Sequence, residues 1–113
     1  MGKTIHIPYY LTAAAGASGT VSLYTVPGGQ KLKITRIVIR FESGTDGKLQ
    51  LAFKAGIKQV APVEGKYFAG ENVTLNLPAD IEYYPDSSID LYYNNTDPGS
   101  SHSATIVLVG TLE

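Results

Sequence analysis

The sequence predicts an all-β chain: an antiparallel two-sheet sandwich of about eight strands, jelly-roll-like, in one domain covering residues 1–113. Three observations lead there. Short segments in which apolar and polar residues alternate recur at even spacing along the chain. Eight tyrosines, with many Val, Ile and Thr, suit a pleated, half-buried surface, while 12 Gly and 6 Pro supply turns. No stretch carries the i, i+3, i+4, i+7 apolar spacing of an amphipathic helix. Ala13-Ala14-Ala15 has helix propensity, but Gly16 and Gly19 follow closely, so it reads as loop.

Lys3 to Tyr10 forms a first strand with Ile5 and Ile7 on one face, and Pro8 marks it as an edge strand. Thr12 to Gly19 is small-residue chain, a flexible loop or detachable arm. Thr20 to Val26 alternates, with Val21, Leu23 and Thr25 against Ser22, Tyr24 and Val26; Pro27-Gly28-Gly29 turns the chain. Lys31 to Glu42 is the longest strand. Its apolar parity changes between Ile34 and Ile37, which predicts a β-bulge across Thr35-Arg36 or cover on both sides. Asp46-Gly47 is a hairpin signal, so Lys31–Glu42 is expected to pair with Lys48–Lys54, whose Leu49, Leu51 and Phe53 share a face.

Ala55 to Gly70 is irregular, with one short strand near Lys58 to Pro62. Glu71 to Leu77 alternates with Val73, Leu75 and Leu77 inward, and Pro78 is expected to end it. Ile81 to Tyr84 is a short strand, and Pro85-Asp86-Ser87-Ser88 a turn. Ser88 to Asn94 places Ile89, Leu91 and Tyr93 on one face. Asn95 to Ser101 is a polar loop, and Ala104 to Leu112 is the closing strand. The long central irregular stretch fits a crossover between two sheets.

Composition narrows the function. A chain of 113 residues can bury a core without staples, and with no cysteine it has neither disulfides nor thiolate chemistry. A net charge of -1 gives no global basic footprint for nucleic acid. No charged leader followed by an apolar run is evident, and no apolar stretch approaches the ~20 residues that span a bilayer.

Charge is unevenly placed along the chain. Residues 1–66 hold nine cations and three acids, a balance of +6; residues 67–113 hold seven acids and no Lys or Arg, a balance of -7. Two readings stay open. Early and late strands interleave and the charges mix, or the surface is bipolar and subunits meet head to tail.

Sites for chemistry are sparse. His6 and His102 are expected to be ordinary exposed histidines, with no spacing that announces zinc. Asp80, Glu82, Asp86, Asp90 and Asp97 offer hard oxygen ligands, so a structural calcium is conceivable, but no contiguous calcium loop is present and no cofactor is expected. The chain lacks a nucleophile elbow, a P-loop and a dinucleotide fingerprint. Ser100, Ser101 and Ser103 beside His102 read as loop composition, and no enzyme is expected. Asn72-Val73-Thr74 and Asn94-Asn95-Thr96 match the glycosylation pattern by chance. Tyrosines fall in pairs (Tyr9-Tyr10, Tyr83-Tyr84, Tyr92-Tyr93), so one of each pair should face outward, with Tyr24 and Tyr67 adding to an aromatic surface. The candidate interface comprises Tyr9, Tyr10, Tyr24, Tyr83, Tyr92, Arg36, Arg40, Asp86 and Asp90.

The stretch Tyr24-Thr25-Val26-Pro27-Gly28-Gly29-Gln30-Lys31-Leu32-Lys33-Ile34-Thr35 resembles the opening hairpin of small virion proteins of phages and archaeal viruses. There a short strand, a Pro-x-Gly turn and a long amphipathic strand begin a jelly roll. The Leu77-Pro78 to Leu91 arrangement is similar to such proteins too. The resemblance implies a capsid, decoration or fibre-type subunit that is homo-oligomeric, a trimer or larger array. It places the chain in a virion or extracellular surface assembly, with other virion proteins as further partners. TNF-like and carbohydrate-binding sandwiches share these features, so the alternative is a carbohydrate-binding module that uses outward tyrosines and loop Asp or Asn, with glycan as partner.

Overall fold

The computed structural model describes residues 2–56 and 58–113. Eight strands form: β1 (Lys3–Ala13), β2 (Ser18–Thr25), β3 (Leu32–Phe41), β4 (Leu49–Ala55), β5 (Lys58–Ala61), β6 (Val73–Tyr83), β7 (Ser88–Asn95) and β8 (His102–Leu112). They build two four-stranded antiparallel sheets, β1-β8-β3-β6 and β2-β7-β4-β5. Within them β1 pairs β8, β2 pairs β7, β3 pairs β6 and β4 pairs β5. The chain is thus one long hairpin, closed at β4–β5, rolled so that alternate pairs fall in opposite sheets. This is a jelly roll.

Period-two alternation puts one face of every strand into the core. From the first sheet come Ile7, Leu11, Leu32, Ile34, Ile39, Phe41, Ile106 and Leu108; from the second come Leu49, Leu51, Phe53, Ile89 and Leu91. Each such side chain, fully buried, contributes roughly 1.5–3 kcal/mol.

The bulge expected across Thr35-Arg36 is present. The ladder of β3 slips between Ile34 and Arg36 against both β6 and β8. It restores Ile37, Ile39 and Phe41 to the core face occupied by Leu32 and Ile34. Pro8 lies on β1, an edge strand, as its missing N–H requires.

Four expectations need correction. The Lys31–Glu42 and Lys48–Lys54 segments do not pair, because β3 and β4 lie in different sheets. Asp46 and Gly47 do adopt positive φ (47° and 69°), so the turn chemistry is correct. The flanking strands, however, bury Phe41 and Leu49 from opposite sides of one core. A turn dipeptide reports a chain reversal, not the lateral pairing of its flanks. Second, Pro78 does not end its strand: β6 runs through to Tyr83. It sits on an edge strand where the ladder slips, the two settings that tolerate proline. Third, the Thr12–Gly19 loop shrinks to residues 14–17, since β1 extends to Ala13 and β2 starts at Ser18. Gly16 N–H donates to Asp97 O (2.9 Å), and Asn95 N–H donates to Ala17 O (2.8 Å), so the link is tied down rather than a free arm. Fourth, a bulge at Leu23 moves Tyr24 to the inner face, opposite Ile89, and not to the outer set.

The pairing also bears on the two readings of charge. Cation-bearing β1 and β3 lie beside acid-bearing β6 and cation-free β8, and β2 and β4 flank β7. Lys33 faces Glu82 in register and pairs with Asp80 at 3.3 Å. The division along the chain is therefore interleaved by the fold, with strands from the two halves of the sequence side by side.

Candidate interaction surfaces

Three surfaces and one polar end carry the candidate interaction groups. The outer face of β1-β8-β3-β6 is read from its register. One row runs Pro8–Val107–Val38–Asn76, the next His6–Val109–Arg36–Pro78, and the next Tyr10–Thr105–Arg40–Thr74. The centre of this outward face is thus aliphatic: Val38, Val107 and Val109 are half-buried by their neighbours, and Pro8 and Pro78 are exposed. Arg36 and Arg40 flank the stripe. They donate to the side-chain oxygens of Asn76 (2.5 Å) and Asn72 (2.7 Å), neutral acceptors, and among the described residues neither forms an ion pair. Tyr10, 57 % exposed, donates to Glu42 Oε1 at 3.3 Å.

The outer face of β2-β7-β4-β5 differs. Its rows run Ser18–Asn94–Gln50, Thr20–Tyr92–Ala52 and Ser22–Asp90–Lys54. Tyr92 packs against Tyr67, with ring centroids 5.8 Å apart, and Lys54 Nζ stands 4.9 Å from the Tyr92 centroid. Tyr67 reaches this face because the chain after β5 folds back beside β4, where Leu51 and Phe68 exchange backbone hydrogen bonds (2.9 and 2.8 Å). Gln59 Nε2 holds that return by donating to the carbonyls of Pro62, Val63 and Lys66.

Between edge strands β5 and β6 the sandwich opens into a groove of about 360 Å³. Ile37, Val60, Pro62, Phe68, Leu77 and Ile81 are among the side chains that line it, and none of the described lining residues is an acid, base or nucleophile.

The fourth feature is a polar cluster at one end. His102, expected to be exposed, is instead 9 % exposed, and its Nε2 lies 2.8 Å from Asp97 Oδ2. It opens β8 with its side chain on the core face, as Ala104 and Ile106 continue that parity. A backbone N–H bond from Gly99, then the His102 contact, hold the Asp97 carboxyl below the ordinary carboxylate range. Glu71 is lowered likewise, by N–H groups of Asp46 (2.8 Å) and Gly44 (3.0 Å), and so pins the inter-sheet turn. Asn95 is buried. Its Nδ2 donates to Ala13, Ala14 and Ser100 carbonyls, and its Oδ1 accepts from Asp97 N–H.

The candidate interface residues scatter accordingly. Tyr10, Arg36 and Arg40 share the first outer face; Tyr92 and Asp90 share the second. Asp86 stands apart in the exposed turn between β6 and β7, at φ 67°. Tyr9 and Tyr24 point inward and pack on the core edge. Tyr83 must be withdrawn from any interface. It is 2 % exposed, burial pushes its phenol pKa up, and its hydroxyl donates to Lys54 O. Tyr84, its exposed neighbour at 61 %, is the outward member of that pair. The valine stripe was missed, although β8 carries a signal: Thr105, Val107 and Val109 are β-branched on the parity opposite Ile106 and Leu108. Among the described residues no group of three or more His, Asp or Glu gathers as metal ligands. The five loop and strand acids divide between both sheets and their connections. Among the described residues no helix is long and apolar enough to cross a membrane.

Comparison with known proteins places this geometry. A chain of the cyanophage Pam1 capsid superposes with a TM-score of 0.53 at 9 % identity, covering 97 % of this chain and 85 % of that one. A chain from the acid-stable capsid of a Helicobacter pylori bacteriophage gives 0.53 at 11 %, covering 97 % and 93 %. An archaeal virus protein with a triple jelly roll, described with its turret assembly, gives 0.57 at 18 %, covering 97 % of this chain and 29 % of that one. The fold is a jelly roll, the fold shared with these viral proteins. It spans nearly the full length of the two phage chains. No protein-family model matches the sequence, and no curated protein does.

Proposed function

We propose that this chain is a non-enzymatic structural subunit of a virion, of capsid or decoration type, that self-associates through the outer face of β1-β8-β3-β6. The observation that carries the reading is the aliphatic centre of that face, Val38, Val107 and Val109 between Arg36, Arg40 and Tyr10. A monomer gains little by placing three valines on its solvent side, whereas an apolar centre with a polar and arginine rim is how protein contacts are built. The fold shared with the phage capsid proteins supports the same role. In this reading the chain resides in the virion, with copies of itself as first partners.

Sedimentation velocity on the wild type and on Val38→Thr/Val107→Thr/Val109→Thr tests the reading. Threonine keeps the β-branched shape and strand preference while removing one methyl from each site. At about 0.8 kcal/mol per buried methyl-sized group, association should weaken more than tenfold with the fold retained. Equal association of both proteins would remove this face from the assembly.

A further inference from the structure

The opposite sheet face carries a different chemistry. Alternation along β4 sends Leu49, Leu51 and Phe53 into the core, so Gln50, Ala52 and Lys54 point outward, with their cross-strand partners Asn94, Tyr92 and Asp90 beside them. Ala52 lies outside the core cluster yet is fully buried, so it is roofed on the outer side, where its register partner is Tyr92. On the β2 side the partner of Tyr92 is Thr20, which is small. Tyr92 therefore stands between short cross-strand neighbours, with the Lys54 ammonium over its ring, 4.9 Å from the centroid. Tyr67, 42 % exposed and inclined at 38° to Tyr92, rises beside it as a wall. Around the two rings stand two carboxamides, Gln50 and Asn94, a carboxylate, Asp90, which accepts from Ser88 Oγ at 3.0 Å, and the hydroxyls of Thr20 and Ser22.

We propose that this face is a binding site for a pyranose ring, either a free saccharide or part of a glycan chain. A pyranose has an apolar C–H face and a rim of hydroxyls that both donate and accept. The first matches the exposed ring of Tyr67 and the ring of Tyr92, which a sugar reaches by displacing the flexible Lys54 side chain, whose ammonium then donates to the hydroxyl rim. The second matches groups of mixed polarity: carboxamides donate and accept, and a carboxylate accepts two hydroxyl protons. The aliphatic face of the other sheet offers no such rim at its centre, which separates sugar chemistry from subunit packing. Because the two faces lie on opposite sides of the sandwich, the sugar site remains open in a subunit assembled through its valine stripe. The site goes beyond the structural role and does not depend on it.

Saturation-transfer difference NMR on the full-length protein tests this whatever the size of the assembly. The probes are the methyl glycosides of glucose, galactose, mannose and N-acetylglucosamine, then maltotriose and chitotriose. At least one probe should receive saturation on its ring C–H protons, with a dissociation constant of about 1 mM, the range of a small contact. Tyr92→Ala should abolish the signal, Tyr92→Phe should retain it, and Asn94→Ala should weaken binding about three- to tenfold. A trisaccharide that binds more tightly than its single-ring unit identifies a glycan chain; equal binding identifies a single-residue site. No transfer to any of the six probes, or transfer that survives Tyr92→Ala, overturns the proposal. If Tyr92→Ala does not fold, Tyr92→Phe and Asn94→Ala decide, since both leave the ring in place: a sugar signal unchanged by Asn94→Ala then counts against the site. Loss of sugar binding with unaltered sedimentation separates this inference from the assembly reading.

Discussion

At the scale of single residues, close approach and satisfied polarity set what the fold tolerates. Gly110 lies at the β3 bulge, where a Cβ would sit 2.7 Å from the Lys33 carbonyl oxygen and 3.0 Å from Leu32 Cδ1. The first neighbour is backbone and cannot swing aside. Gly110→Ala should therefore destabilise the protein by about 1–3 kcal/mol, seen as a lower denaturation midpoint with unchanged slope. Asn95 carries the opposite kind of constraint. Its buried carboxamide serves three carbonyls from two connections, so Asn95→Ala strands acceptors that water does not readily reach. A loss of about 1–3 kcal/mol is expected, against near-neutrality for Thr12→Ala on the exposed surface. Asp97 gives a pH signature. Its folded-state pKa is depressed, first by the Gly99 N–H and then by His102, so its stabilising contribution is fully present above the unfolded value of about 3.9 and is lost as pH falls through the folded value. Acid unfolding should therefore shift toward higher pH in Gly99→Pro, which removes the donor. Asp97→Asn should flatten the stability profile below about pH 4. An unchanged profile in Asp97→Asn would mean that the carboxylate is not linked to folding.

At the scale of elements, legibility followed the locality of the signal. The alternation of β7 and β8, the edge position of Pro8 and the bulge between Ile34 and Arg36 were all readable, because each is written in neighbouring residues. The bulge was visible as a parity change; the one at Leu23 was not, because Leu23, Tyr24 and Val26 are all apolar enough to fit either face. Pro78 misled for a related reason. Proline forbids a ladder bond on one side only, and the sequence does not say that β6 has only one neighbour. His102 misled because its Ser-rich flanks suggest an exposed loop. Its partner Asp97 lies five residues away across a turn, and a histidine so matched is tolerated at the core face. The candidate surfaces were half legible. Arg36 and Arg40 fall on one face by simple alternation. The convergence of Tyr67 on Tyr92 depends on a return of the chain beside β4 that no local pattern announces.

At the scale of the whole molecule, the jelly-roll pairing has a consequence for charge. Because β1 meets β8, β2 meets β7 and β3 meets β6, the first part of any such chain is interleaved with its last part. A sequence-level division of +6 and -7 becomes local mixing, exemplified by Lys33 beside Asp80 and Glu82. Assembly driven by a bipolar surface would dissolve in salt; assembly through the Val38, Val107 and Val109 stripe should persist, since apolar contacts are not screened and are strengthened by salting-out anions. The difference in chemistry between the two outer faces follows from the same topology. β3 and β8 are central strands of one sheet and carry aliphatic residues on both parities, while β7 and β4, central in the other, carry polar and aromatic residues outward. Multi-angle light scattering across a concentration series, at low and high salt, decides whether the chain self-associates. A mass of three or more 12.1 kDa subunits at micromolar concentration, undiminished by salt, is expected. A 12.1 kDa particle at every concentration would contradict self-association and with it the structural role proposed for this chain.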